Sequence, residues 1–77
     1  MKNPTISDSV QYAVDEYLQL MADESIDDLY QLVLSEVEAP LLRSVMNHTG
    51  QNQSRTAEIL GLNRGTLRKK LRRYRLL

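Results

Sequence analysis

The sequence predicts an all-α fold of four helices. The first two need a second copy of the chain to complete their core, and the last two form a helix-turn-helix. Three observations carry this expectation. The chain has 77 residues, no Cys and a single His. A core this small is short of stabilisation without a staple, and disulfides, thiolate metal sites and multi-histidine sites are excluded, which leaves oligomerisation. There is no Trp or Phe, only three Gly and two Pro, and the apolar residues recur with a helical period. The charge is also divided. Residues 1–38 hold Lys2 against nine carboxylates, a balance of −8, whereas residues 39–77 hold nine Lys/Arg against Glu58 alone, a balance of +8. One half is built to meet water or protein and the other an anion.

Residues 1–7 are short, polar and Pro-containing, and are expected to be flexible. Helix 1 is expected over about 9–22, capped by Ser7 or Asp8, with Val10, Ala13, Val14, Tyr17, Leu18 and Met21 on one face. Ala22-Asp23-Glu24 reads as a turn. Ser25, with Asp28 three residues on, reads as a capping box opening helix 2, about Ile26 to Thr49. Pro40 lies inside that helix and is expected to kink it without breaking it. Leu29, Tyr30, Leu32, Val33, Leu34 and Val37 cover an arc of roughly 200°, about twice a one-sided stripe. After Pro40, Leu41, Leu42, Val45 and Met46 continue the apolar pattern on an arc centred elsewhere. An arc so wide must be covered from two sides, and one short helix cannot do that; a second copy of the chain is the cover expected, the alternative being a monomer in which helices 3 and 4 cover the second side. The dimerisation helices therefore span about 8–49. Gly50 is placed to end helix 2. Helix 3 is expected from Asn52 or Gln53 to Leu60, closed by Gly61, and helix 4 over about 64–74, capped by Asn63.

Helices 3 and 4, within residues 52–75, have the spacing of a helix-turn-helix. Ala57 is small where two helices would cross, and Gly61 suits a sharp turn with positive φ. Ile59, Leu60 and Leu62 would form an apolar wedge, and Leu67, Leu71 and Tyr74 a buried seam on helix 4. Opposite that seam lie Gly65, Lys69 and Arg72, flanked by Arg64 and Arg68 on one side and Thr66, Lys70 and Arg73 on the other. A solvated charged face normally mixes signs. Helix 4 has no acid, so its cations repel one another unless an anion neutralises them, and double-stranded DNA is the partner expected. Arg64 at the helix start can bond a guanine edge bidentately, Asn63 can reach a base or phosphate, and the helix N-terminus itself favours phosphate. RNA is disfavoured because no aromatic is expected at the surface for base stacking. A membrane-surface helix is disfavoured because the apolar seam is narrow.

Other chemistry finds no support. His48 has no acid or nucleophile near it in sequence and reads as a surface or loop-packing residue. Asp27/Asp28 and Glu36/Glu38 read as capping and solvated-face charges, although Glu36 falls within the wide apolar arc, where an interfacial polar contact is the alternative. Ser44, Ser54 and Thr66 have no triad context. No enzyme activity, cofactor or metal is expected. No apolar run approaches the length of a membrane span and no secretory signal opens the chain, so a cytoplasmic location is expected.

The segment Asn63-Arg64-Gly65-Thr66-Leu67-Arg68-Lys69-Lys70-Leu71 resembles the recognition helix of the Fis family, the bacterial factors for inversion stimulation. The stretch Asp28 to Glu38, then Pro40-Leu41-Leu42, resembles the family's long kinked helix, and the similarity runs from about Asp8 to Tyr74. The resemblance implies a homodimer whose first two helices interlock, with Val14, Leu18, Leu29, Tyr30, Val33, Leu34, Val37 and Leu41 expected at the interface. It also implies a nucleoid-associated transcriptional regulator that bends DNA with loose sequence preference. Two recognition helices closer together than one DNA turn enter adjacent major grooves only if the duplex bends. Position by position, Asn63, Arg64, Thr66, Arg68 and Lys69 would meet the groove, and Asn52, Ser54, Lys70, Arg72 and Arg73 the backbone. Arg64 would read a guanine near each end of the site, and the A·T-rich centre would be read by shape.

The chain departs from the family pattern in places. About seven residues precede helix 1, so the arm that contacts DNA invertases in the family is unmatched and that partner is not expected. The turn Asn47-His48-Thr49-Gly50-Gln51 carries Gly50 where the family has a basic residue. This is the turn that touches RNA polymerase in the family, so that partner does not carry over directly. Glu58 adds an acid to helix 3, and Arg75 a base after helix 4. The recognition helix alone also resembles the C-terminal domains of NtrC-type activators. A dimeric helical adaptor whose acidic half binds a basic partner is the alternative outside DNA binding.

Overall fold

The computed structural model describes residues 3–22 and 24–77. It contains four helices: α1 (Ile6–Leu20), α2 (Leu29–His48), α3 (Gln53–Leu60) and α4 (Arg64–Arg73). The helical fold class is as expected, and no strand occurs among the described residues. The chain divides into two compact units, residues 1–33 and 34–77.

In the first unit, α1 begins earlier than expected. Thr5 is its N-cap, and a reciprocal capping box joins Thr5 and Asp8: the Asp8 N–H donates to Thr5 Oγ1 at 3.0 Å and the Thr5 N–H to Asp8 Oδ2 at 3.2 Å. This box satisfies the N–H groups of Thr5 and Asp8 at the helix start, and Ser7 and Asp8, the expected caps, lie inside α1. Met21 lies at the C-cap. Position 23 of the expected turn lies outside the described residues. The Ser25–Asp28 capping box does not form. Asp28 instead adopts a left-handed conformation with φ 53°, and its N–H bonds Asp27 Oδ1 at 3.1 Å. The first helical bond runs from Leu32 N–H to the Asp28 carbonyl, so α2 starts at Leu29 rather than Ile26. Asp tolerates the left-handed region because its short side chain bonds locally.

No residue of α1 is buried. Ile6, Tyr12, Leu18 and Leu20 are exposed, as are Tyr30 and Leu32, while Val14, Tyr17, Leu29 and Val33 are half-buried. The exposure of Tyr12 and Tyr30 corrects the expectation that no aromatic reaches the surface.

The second unit holds the core. Here α2 runs through Pro40 without interruption to His48. Leu42 and Met46, one turn apart, meet Ala57 of α3 and Leu67 and Leu71 of α4. Leu42, Leu67 and Leu71 are at most 1 % exposed. Leu60, Tyr74 and Leu76 pack against this cluster. The expected α4 seam is thus present, but Ile59 of the expected wedge is exposed and Leu60 and Leu62 are half-buried. Leu34, Val37 and Leu41 remain exposed on α2.

Each C-terminus in this unit is closed by a pair of backward bonds around a left-handed residue. Gln51 N–H reaches Met46 O at 2.7 Å and Gly50 N–H reaches Asn47 O at 3.2 Å, with Gly50 at φ 65°. Leu62 N–H reaches Ala57 O at 2.9 Å around Gly61 at φ 71°. At the end of α4, Leu76 N–H reaches Leu71 O at 2.8 Å, and the left-handed residue is Arg75 at φ 56°. There, as at Gln51 (φ 70°) after Gly50, the strain falls on a residue with a Cβ. A fully buried Thr56 hydroxyl lies 2.7 Å from that of Thr49, which also accepts the Asn52 N–H at 3.2 Å. This pair fastens the end of α2 to the start of α3.

Candidate nucleic-acid interface

The interface is built on α4, whose orientation follows from its two buried leucines. With Leu67 and Leu71 in the core, Arg64, Gly65, Thr66, Lys69, Arg72 and Arg73 are exposed, and Arg68 and Lys70 are half-buried. The helix starts sharply at Asn63, whose Oδ1 accepts the Gly65 N–H at 2.8 Å and the Thr66 N–H at 3.4 Å. The Asn63 carbonyl-type oxygen is therefore engaged, and its amide NH₂ is what remains to donate outward. A Cβ on Gly65 would stand 3.2 Å from that oxygen, so glycine leaves room for the cap. At the start of α3, Asn52 Oδ1 caps by accepting the Arg55 N–H at 3.0 Å, and Ser54 beside it is exposed.

The basic side chains differ in their engagement. Arg64, Lys69 and Arg72 make no ion pair or side-chain hydrogen bond among the described residues. Arg68 Nη1 donates to Gln53 Oε1 at 3.0 Å, which orients the guanidinium along the α3–α4 junction. Lys70 is turned away from the exposed face: its Nζ donates to Glu38 Oε2 of α2 at 2.8 Å. Tyr74 Oη donates to the other oxygen of the same carboxylate at 2.6 Å. The Lys70 and Tyr74 hydrogen bonds hold the Glu38 carboxyl below its ordinary pKa, and the bond to Glu38 pushes the Tyr74 phenol up. Glu58, on α3, lies 3.7 Å from Arg55 in an exposed pair.

Sequence reasoning placed Glu38 on a solvated face, and the structure corrects this. The signal was present: Glu38, Leu42 and Met46 share one stripe of α2 at i, i+4 and i+8, and Lys70 and Tyr74 are one turn apart on α4. Glu36 is exposed, and so is His48. No group of three or more His, Cys, Asp or Glu able to hold a metal occurs among the described residues. No helix there is long and apolar enough to cross a membrane.

Residues 33–74 match the family described as "Bacterial regulatory protein, Fis family". The chain belongs to the Fis family. Relatives named DNA-binding protein Fis include that of Aeromonas hydrophila, 54 % identical over 69 residues, covering 90 % of this chain and 70 % of the relative. That of Photobacterium profundum is 51 % identical over 69 residues, with the same coverage of each. That of Histophilus somni is 50 % identical over 72 residues, covering 94 % of this chain and 74 % of the relative. The matched Fis segment takes in the second unit's helix-turn-helix and most of α2, the elements that hold the basic face in place.

Proposed function

We propose that this chain is a homodimeric DNA-binding and DNA-bending regulator of the bacterial nucleoid, acting as a binding protein and not as an enzyme. The observation that carries the reading is the exposed, acid-free face of α4 behind a capped helix N-terminus. Arg64, Thr66 and the Asn63 amide would enter the major groove. Arg68 and Lys69 would meet its edges, where Lys69 reaches a phosphate, and Arg72, Arg73, Ser54 and the start of α3 at Asn52 would hold the backbone. The names of the relatives support DNA as the ligand.

Dimerisation rests on unmet apolar surface. Leu18, Tyr30, Leu34, Val37 and Leu41 are exposed, and Val14, Leu29 and Val33 are half-covered, in a chain whose core is small. Exposed apolar surface of this kind marks an interaction site. A second copy supplies a second α4, and a site with two recognition helices closer than one DNA turn is occupied only by bent DNA. Affinity comes mainly from phosphates. If Lys69, Arg72 and Arg73 of each protomer meet one phosphate apiece, log K falls with log salt at a slope of about −5. Energy transfer between dyes on the two ends of an A·T-centred duplex tests the bend. The ends should approach on binding, and an unchanged end-to-end distance at saturation would exclude bending.

A further inference from the structure

The contact that the basic face does not explain is the one at its back. Glu38 belongs to α2, lies 32 positions before Lys70 in sequence, and takes a donor on each oxygen: Lys70 Nζ at 2.8 Å and Tyr74 Oη at 2.6 Å. The side chains of Lys70 and Glu38 are 27 % and 29 % exposed, so the pair is shielded on most sides but not sealed. Lys70 is the cation of α4 that an ion pair engages among the described residues. Tyr74 helps to hold the carboxylate in place, and the Leu42/Leu67/Leu71 cluster beside it fixes the distance between α2 and α4.

We infer that Glu38 is a positioning residue for the interface: it withholds Lys70 from the nucleic acid and so acts as a built-in brake on phosphate binding. The inference rests on the DNA-binding reading and deepens it. A cation gains affinity for DNA by neutralising a phosphate and releasing its counterion. An ammonium already neutralised at 2.8 Å by a carboxylate contributes no such release unless the pair is first broken. Lys70 is therefore a structural cation of the α2–α4 contact, and the phosphate contacts fall to Lys69, Arg72 and Arg73. This sets aside the role for Lys70 at the DNA backbone that the family resemblance implies.

The test uses the full chain in four forms: unaltered, Glu38→Gln, Lys70→Met, and the two together. Each is titrated onto one labelled duplex at several salt concentrations, with thermal melts to check folding. Lys70→Met alone should leave the salt slope unchanged. Glu38→Gln should free the ammonium, steepen the slope by about 0.9 per protomer and tighten binding about eightfold per protomer at about 0.1 M salt. The double variant should return to the unaltered slope, because the freed cation is gone. A slope shallower by about 0.9 per protomer for Lys70→Met would place Lys70 on a phosphate and overturn the inference. An unchanged slope for Glu38→Gln would overturn it too. If Glu38→Gln fails to fold, Lys70→Met decides alone. A shallow slope for the unaltered protein would remove the DNA-binding reading before any variant is compared, and the inference with it.

Discussion

Replacing Leu34 by Asp tests whether the open apolar face of α2 is a dimer interface. Leu34 is 46 % exposed in the single chain. Full burial of a Leu side chain is worth about 1.5–3 kcal/mol, so covering the open part contributes about 1 kcal/mol per protomer. In a two-fold interface the residue counts twice, which gives about 2 kcal/mol per dimer. A carboxylate at the same place must also be removed from water without a partner, at an effective penalty of several kcal/mol per ion. A total of at least about 5 kcal/mol weakens the dimer by more than about a thousandfold. Sedimentation equilibrium from about 1 to 100 µM protein would show the unaltered chain as a dimer and Leu34→Asp as a monomer. Ser44→Asp puts the same charge on an exposed polar position of the same helix, and it should remain dimeric. A monomeric unaltered chain across that range, or an undiminished dimer of Leu34→Asp, would refute the reasoning.

Arg64→Ala should cost about 1–3 kcal/mol on a duplex with outer guanines and less on one without. Equal losses on both, measured by anisotropy, would make Arg64 a phosphate contact. Arg75→Gly should be about 1 kcal/mol more stable than Arg75→Ala, since both lose the charge but only glycine relieves the φ of 56°. That corresponds to roughly 4–8 °C in melting temperature, and equal melts would show that the left-handed residue is not strained. The Glu38 carboxyl titrates below its unfolded value. Its stabilising contribution is therefore present above the unfolded pKa, about 4.3, and lost as pH falls through the lower folded pKa. Tyr74, shifted up, holds its contribution below about pH 10 and loses it above. Glu38→Gln should flatten the acid limb of a stability–pH profile, and an unaltered acid limb would show that this carboxylate does not govern it.

The helix-turn-helix was the most legible part of the sequence because its signals are local. Asn52 and Asn63 cap the helices they precede, Gly61 takes the positive φ that ends α3, and Leu67 and Leu71 point inward at helical spacing. The helix starts nearer the N-terminus were less legible. Thr5 and Asp8 form a capping box inside a segment whose Pro and polar residues suggest flexibility. Ser25 and Asp28 have the same spacing but make no box, because Asp28 turns left-handed beside Asp27. A spacing rule does not see backbone sign. The basic face was readable from the absence of acids on helix 4. The engagement of Lys70 was not, because its carboxylate comes from α2, and only the tertiary packing of Leu42 against Leu71 brings the two together. Thr56 was overlooked for a similar reason: its hydroxyl is satisfied across the turn by Thr49, which lets a polar residue be fully buried.

The most direct test of the central claim is a fluorescence-anisotropy titration at several salt concentrations. It compares one A·T-centred duplex of about 27 base pairs carrying outer guanines with a twin in which those guanines are replaced. A salt slope of about −5 and tighter binding to the guanine duplex are expected. A shallow slope with no preference between the two duplexes would contradict it and would point to a protein partner for the acidic half of the chain.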